Sequence, residues 1–138
     1  MKYIKMGEQQ KVYIVFLFVF LLFGSGHGKI PPFWRDTVVT MTNLISGPPL
    51  TVHCKSKQDD LGSHVVPFNQ FYEFKFQPNF WKSTLFFCSF QWGSESKQFD
   101  IFDATRDQDI CKDKCKWDIK ADGPCRLDKK GPKCFPWK

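Results

Sequence analysis

The feature that most constrains the fold is a set of segments in which apolar and polar residues alternate. In Leu50–Lys55, LTVHCK, every second residue from Leu50 is apolar or cysteine, and the residues between them are polar. A period of two is that of a β-strand that buries one of its faces. The alternation therefore predicts a strand with Leu50, Val52 and Cys54 in a core and the other face in solvent.

Similar segments recur along the chain, separated by turns rich in glycine, proline and serine. No segment has a helical period over the length of an average helix, and the polar segment 104–114 and the basic segment 122–132 are predicted to be irregular. The fold class that this pattern predicts is all-β, an antiparallel β-sandwich. The predicted strands are Thr37–Leu44, Leu50–Lys55, Ser63–Pro67, Phe71–Gln77, Thr84–Trp92, Lys97–Asp103 and Cys115–Ala121.

The amino terminus has the composition of a secretory signal peptide. Three lysines precede Val12–Phe23, an uninterrupted apolar run of 12 residues, and the small residues GSGHG follow it. The run is too short for a membrane-spanning helix, which needs about 20 apolar residues. We predict a signal peptide over residues 1–26, with cleavage as late as residue 28 as the alternative. The mature domain is then 27–138, which contains no transmembrane segment and is expected to be extracellular and monomeric.

The charge of the mature chain argues against a nucleic-acid partner. Removal of residues 1–26 takes away three lysines and Glu8, which leaves 17 basic and 13 acidic residues and a net charge of +4. A nucleic-acid-binding domain usually has one strongly basic face. The basic residues of the C-terminal third are interleaved with aspartates, so solvated surface charge is the simplest interpretation and an acidic cell-surface partner the alternative.

Six cysteines in a short secreted chain predict a disulfide framework that stabilises the sandwich. Six cysteines allow about 15 pairings, and sequence alone does not choose among them. We expect Cys54 to pair with Cys134 and the remaining four to pair among themselves. A four-thiolate zinc site in the C-terminal part is disfavoured in an oxidising compartment. The cysteines are Cys54, Cys88, Cys111, Cys115, Cys125 and Cys134.

The sequence offers little catalytic or metal-binding chemistry. No serine lies in a Gly-x-Ser-x-Gly setting, and no cysteine is expected to be free as a nucleophile. One group of residues resembles acid–base machinery, and one group of aspartates lacks the glycine and glutamate of a calcium-binding loop. We therefore predict neither an enzyme nor a cofactor or metal site. The two groups are His53, His64, Asp59 and Asp60, and Asp100, Asp103, Asp107 and Asp109.

Five blocks of the chain, taken in order, resemble the plant self-incompatibility S-protein homologue family. They cover most of the mature chain, and their combination is specific although no single block is. The blocks are LTVHCKSKQDDLG (50–62), FYEFKFQPNFWKSTLFFCSFQW (71–92), FDIFDATRD (99–107), CKWDIKADGPC (115–125) and CFPWK (134–138).

The resemblance implies a secreted β-sandwich that acts as a ligand. In the founding members, a stigma protein meets a receptor in the pollen plasma membrane and triggers rejection of self pollen. Defence or development without a self-incompatibility role is the alternative within the family. Inter-strand loops carry recognition in the founders, and the matching positions here are Gln58, Asp59 and Asp60, with neighbours Lys57 and Ser63. A glycosylation sequon common near the first strand of the family is missing at Asn43, which Leu44 and Ile45 follow.

Overall fold

The computed structural model describes residues 35–138, which form nine strands and one short helix. The predicted signal peptide and residues 27–34 lie outside this range. Within it, no helix is long and apolar enough to cross a membrane. The strands are β1 (Thr37–Asn43), β2 (Leu50–Lys55), β3 (Asp60–Val66), β4 (Phe71–Phe76), β5 (Leu85–Trp92), β6 (Glu95–Asp103), β7 (Lys114–Lys120), β8 (Gly123–Asp128) and β9 (Gly131–Cys134), and the helix is α1 (Ala104–Cys111).

The strands form two sheets, which confirms the predicted β-sandwich. The five-stranded sheet has the order β4-β1-β7-β8-β9, and the four-stranded sheet has the order β3-β2-β5-β6. Neighbouring strands are antiparallel except β1 and β7, which run parallel from Val38 opposite Lys114 to Asn43 opposite Ile119. A parallel pair needs a long crossover, and here the whole four-stranded sheet and α1 lie between its two strands in sequence.

The core lies between the two sheets and is filled by the alternating residues. Leu50, Val52 and Cys54 are at most 1% exposed, as the alternation predicts. Large aromatic side chains contribute contacts across the interface between the sheets. The ring of Phe74 on β4 lies 5.0 Å from that of Phe86 on β5. Such aromatic contacts add to the free energy of burying apolar area.

Two segments that were predicted to be irregular are regular. Segment 104–114 contains α1, whose first turn is capped by Asp103, since its carboxylate accepts a hydrogen bond from the Thr105 amide at 3.0 Å. The helix has eight residues, too few for a helical period to stand out. Segment 122–132 forms most of the β8–β9 hairpin. Of its two prolines, Pro132 is tolerated because β9 is an edge strand.

The predicted disulfide between Cys54 and Cys134 is wrong, because each of the two residues is bonded to a cysteine on a neighbouring strand of its own sheet. Cys54 lies opposite Cys88 on neighbouring strands, with Cα atoms 4.0 Å apart. Cys134 lies opposite Cys125 on the β8–β9 hairpin, with Cα atoms 3.9 Å apart. The third disulfide joins Cys111 at the end of α1 to Cys115 on β7. All six cysteines are therefore bonded in pairs.

The C-terminal tail, residues 135–138, closes one open edge of the sandwich. The Phe135 ring packs on Phe99 and Trp117, one from each sheet, with ring centroids 5.8 and 5.7 Å away. Trp137 packs on Phe90 at 5.2 Å and donates its indole N–H to the Ala121 carbonyl. The tail thus ties the four-stranded sheet to the five-stranded one.

Candidate recognition site

The predicted recognition loop is shorter than expected. The Ser56 amide donates to the Asp59 carbonyl at 2.8 Å, and the Asp59 amide donates to the Ser56 hydroxyl at 3.0 Å. These bonds close a four-residue turn between β2 and β3. Asp60 and Ser63 belong to β3 and not to a loop, because the pairing of β2 with β3 extends through a bulge as far as Lys55 opposite Asp60. Of the predicted recognition positions, only Lys57, Gln58 and Asp59 therefore lie in the turn.

A hydrogen bond between two side chains fixes the base of this turn. The His53 Nε2 atom lies 2.5 Å from the Asp60 carboxylate, which also accepts a hydrogen bond from the Gly62 amide at 2.9 Å. The hydrogen bond from His53, followed by that from Gly62, lowers the pKa of Asp60 below its usual value. Both partners are partly exposed, and Lys55 stands 3.8 Å from the same carboxylate.

The other members of the presumed acid–base group lie apart from this pair. His64 donates from Nε2 to the Leu61 carbonyl at 2.8 Å and stacks on Tyr72, with ring centroids 4.1 Å apart. Asp59 lies exposed in the turn. The structure therefore brings together His53 and Asp60 but not His64 and Asp59, and the arrangement that results stabilises a strand junction.

Beside the turn lies a cleft of about 880 Å³. Its apolar part comes from Phe76 at the end of β4 and from Leu85–Phe87 at the start of β5. Lys57 and Gln58 of the turn line it on the polar side. Sequence reasoning missed this cleft, because it is formed by segments of both sheets that meet only in the fold.

Loop 77–84 forms another wall of the cleft and ends in two exposed aromatic residues. Asn79 organises the loop, since its amide group donates to the Ser83 hydroxyl at 2.8 Å and accepts from the Ser83 amide at 3.0 Å. At the tip, Phe80 and Trp81 are 67% and 81% exposed and contact each other edge to face. Lys82 attaches the loop to α1 through an ion pair with Asp109 at 2.9 Å. In the sequence, the placement of Asn79 and Ser83 on either side of two aromatic residues is the pattern that could have predicted this ordered loop tip.

We call this part of the molecule the helix end: the turn 56–59, the loop 77–84 and α1. Strand register places them together, because Lys55 lies opposite Phe87 and Leu85 lies opposite Asp103, the residue before α1. Loops on a rigid scaffold are where binding residues concentrate.

The four aspartates considered as a calcium site have separate partners. Asp100 pairs with Lys138 of the tail, and Asp109 pairs with Lys82. Asp103 caps α1, and Asp107 lies in the interior. Among residues 35–138, no three histidine, cysteine or acidic side chains are grouped so that they could hold a metal ion.

Asp107 is the centre of a buried ionic network that holds α1 against the sandwich. Its carboxylate accepts two hydrogen bonds from Arg106 at 2.7 Å, one from Arg126 at 2.5 Å and one from the Asp103 amide at 2.9 Å. Arg126, which is 3% exposed, also binds both carboxylate oxygens of Asp128. These hydrogen bonds, that to Asp128 first, raise the pKa of Arg126 above its usual value. The network positions α1 as part of the helix end.

Asn43, where the family sequon is missing, has a structural role. Its side chain is completely buried, donates to the Val66 carbonyl at 2.9 Å and accepts from the Ile45 amide at 2.8 Å. It thus joins the end of β1 to the end of β3, and its amide nitrogen is not accessible to a glycan.

Comparison with known proteins accounts for this fold. Residues 37–137 match the family model of the plant self-incompatibility protein S1. The chain belongs to this family. It is 76% identical to S-protein homolog 5 of Arabidopsis thaliana over 94% of the chain and 99% of that protein. It is 39% identical to S-protein homolog 29 of the same plant over 96% and 99% of the two chains.

A solved structure shares the fold at low sequence identity. It comes from the S-protein homologues, described as a widespread family of small, highly stable, secreted proteins from plants. The TM-score is 0.58 at 16% identity, over 76% of this chain and 96% of that one. The resemblance seen in the sequence is thus confirmed, and the chain is a small, disulfide-bonded secreted plant protein.

Proposed function

We propose that this protein is an extracellular signal that binds a receptor in the plasma membrane of another cell, and that it acts by recognition and not by catalysis. In the reproductive setting that the family name describes, this binding would trigger rejection of self pollen. The mature protein would be a monomer of residues 27–138, released by cleavage of the signal peptide 1–26. Family membership supports the proposal, and the surface of the helix end carries it.

The observation that favours the helix end is the combination of exposed polar side chains with an adjoining apolar cleft. Lys57, Gln58 and Asp59 are exposed at the tip of the turn, beside the cleft. The exposed rings of Phe80 and Trp81 lie on the loop that forms its other wall. Binding energy in protein interfaces concentrates in buried aromatic residues surrounded by polar contacts.

The internal bonding of the turn supports a role in recognition. The hydrogen bonds between Ser56 and Asp59 and the His53–Asp60 pair fix the backbone, whereas the side chains of Lys57 and Gln58 extend into solvent. A partner would therefore order two or three side chains and not a whole loop, which lowers the entropic cost of association. Lys57 and Asp59 carry opposite charges, and a receptor with complementary charges would favour this arrangement over one in which the two charges were exchanged.

A secreted defence or developmental signal with no self-incompatibility role is the second candidate. It is favoured by the curated relatives, which are named S-protein homologs. It would use the same surface, and restriction of expression to the pistil would separate the pollen signal from this wider role.

A binding assay with matched variants tests the proposal. Fluorescently labelled mature protein is titrated onto protoplasts, alone and with an excess of unlabelled protein. We expect Lys57→Ala/Asp59→Ala to weaken saturable binding at least about tenfold, as for the central residues of an interface. The control Lys120→Ala/Asp122→Ala removes the same charges from an exposed turn at the opposite end of the sandwich. Equal binding by the two double variants, both folded by circular dichroism, would contradict the proposed site.

A further inference from the structure

We infer that the outer face of the five-stranded sheet is a second binding surface, which adjoins the helix-end cleft at Lys75, and that its partner is an acidic polysaccharide chain with repeated carboxylates. Such a contact would retain the secreted protein in an extracellular matrix. The inference does not depend on the proposed receptor. It rests on how the sheet arranges lysines that are scattered in sequence.

Strand register assembles two rows of side chains on this face. In the first row, Lys75 and Lys114 lie on either side of Val38. In the second row, Glu73 and Lys116 lie on either side of Thr40. Strands are about 4.8 Å apart and residues i and i+2 about 7 Å apart, so these lysines start from points about 7–12 Å from one another.

The β8–β9 turn and the end of α1 extend this cluster. β7 runs antiparallel to β8, so the start of β7 lies at the same end of the sheet as the turn residues Lys129 and Lys130. We define the basic face as Lys75, Lys112, Lys114, Lys116, Lys129 and Lys130, all of which are exposed.

Few carboxylates neutralise the basic face. Asp36 lies 3.8 Å from Lys75, and Glu73 accepts a hydrogen bond from Thr40. Of the aspartates interleaved with these lysines in sequence, Asp128 binds Arg126, and Asp118 lies opposite Thr42, beyond the two rows of lysines. The alternation of lysines and aspartates in the sequence therefore overestimates how much of the positive charge on this surface is neutralised. Among residues 35–138, five lysines of the basic face form no ion pair: Lys112, Lys114, Lys116, Lys129 and Lys130.

The shape of the surface favours a polysaccharide over a lipid bilayer. Between the lysines the sheet presents the half-buried side chains Val38, Thr40 and Thr42. Two apolar residues are exposed, Leu127 on β8 and Phe71 on β4, and β1 and β7 separate their strands. Proteins that bind a membrane surface usually combine cations with apolar side chains that enter the lipid. Lysines spaced along a sheet that has only isolated exposed apolar side chains instead match a polymer that carries a carboxylate at regular intervals, by charge complementarity.

The test measures binding of the mature protein to de-esterified polygalacturonate at low and physiological salt. The test variant is Lys114→Gln/Lys116→Gln/Lys129→Gln/Lys130→Gln. The control variant Lys55→Gln/Lys82→Gln/Lys97→Gln/Lys138→Gln changes the net charge equally at positions outside the five-stranded sheet. We expect the test variant to raise the Kd about tenfold or more and the control variant to raise it less than about threefold. Salt screens the attraction between exposed charges, so only lysines close to the bound polymer contribute to its affinity.

Further comparisons decide the class of partner. Methyl-esterified polymer, which lacks the carboxylate charge, should bind at least about tenfold more weakly than the de-esterified form, since the attraction is between charges. The inference is overturned by absence of binding to polygalacturonate at low salt or by equal losses in the two quadruple variants. It is also overturned by a preference for phosphatidylserine vesicles over the polymer. Thermal unfolding of each variant verifies that the exposed substitutions leave the fold intact.

Discussion

Replacing Asp107 by alanine removes the acceptor that connects α1 to the five-stranded sheet. The carboxylate is fully buried and accepts four hydrogen bonds, three of them from arginines. Removing one partner of a buried ion pair costs about 3–5 kcal/mol, because the other charge stays buried without compensation. Arg126 keeps both bonds to Asp128, at 2.7 and 3.0 Å, so we expect the lower end of that range, about 3 kcal/mol.

The assay is unfolding in guanidinium chloride with the disulfides intact, followed by tryptophan fluorescence. Asp109→Ala is the matched control on the same helix: its carboxylate is 80% exposed and pairs with Lys82, so its loss should cost at most about 1 kcal/mol. If Asp107→Ala costs no more than Asp109→Ala, the buried network does not hold α1, and the argument that it positions the helix end fails.

Three further predictions concern the disulfides, the turn and the tail. Replacing Cys54 and Cys88 by alanine should destabilise the fold by about 4 kcal/mol in the chain-entropy model. This is about twice the loss expected for replacing Cys111 and Cys115, because the sequence separation is 34 in the first pair and 4 in the second. Chemical denaturation of the two double variants checks which loss is larger. His53 lowers the pKa of Asp60, so the pair stabilises the turn above the usual aspartate pKa, and this stabilisation is lost as the pH falls through the lowered value. His53→Ala should therefore shift the NMR titration of the Asp60 carboxyl to higher pH. Gly123→Ala should displace the tail and lower the Tm, since its φ is +146° and a Cβ atom would clash with the Phe135 carbonyl oxygen. An unchanged Tm would be evidence against the tail as a tie between the sheets.

Local alternation predicted the inside and the outside of β2 correctly, because one face of that strand meets the core, and burial follows the same alternation on β5. On β5, Phe86, Cys88 and Phe90 are each at most 4% exposed, whereas Leu85 and Phe87, on the opposite face, are each at least 39% exposed. The same pattern gave the fold class. It gave no order of the strands, because the order depends on contacts between residues distant in sequence.

Because the order of the strands was not predicted, the disulfide pairing and the cleft were not predicted either. Cys54 and Cys88 are neighbours because β2 pairs with β5, a choice that no local pattern records. For the same reason the cleft, which both sheets line, was not foreseen, and Asp60 was placed in a loop and not at the start of β3. The turn residues themselves were found through a family signature, which identifies a shared position but carries no geometry.

The most direct test of the proposed recognition role is photo-crosslinking from the turn. A photoreactive phenylalanine analogue replaces Gln58, which is exposed beside the cleft, or Asp122, which is exposed at the other end. Each protein is irradiated on protoplasts that respond to it. We predict that the probe at position 58 captures one plasma-membrane protein, that unlabelled mature chain competes with the capture, and that the probe at position 122 does not capture it. Capture of the same protein with equal yield from both positions, or of none from position 58 despite saturable binding, would contradict recognition through the helix end.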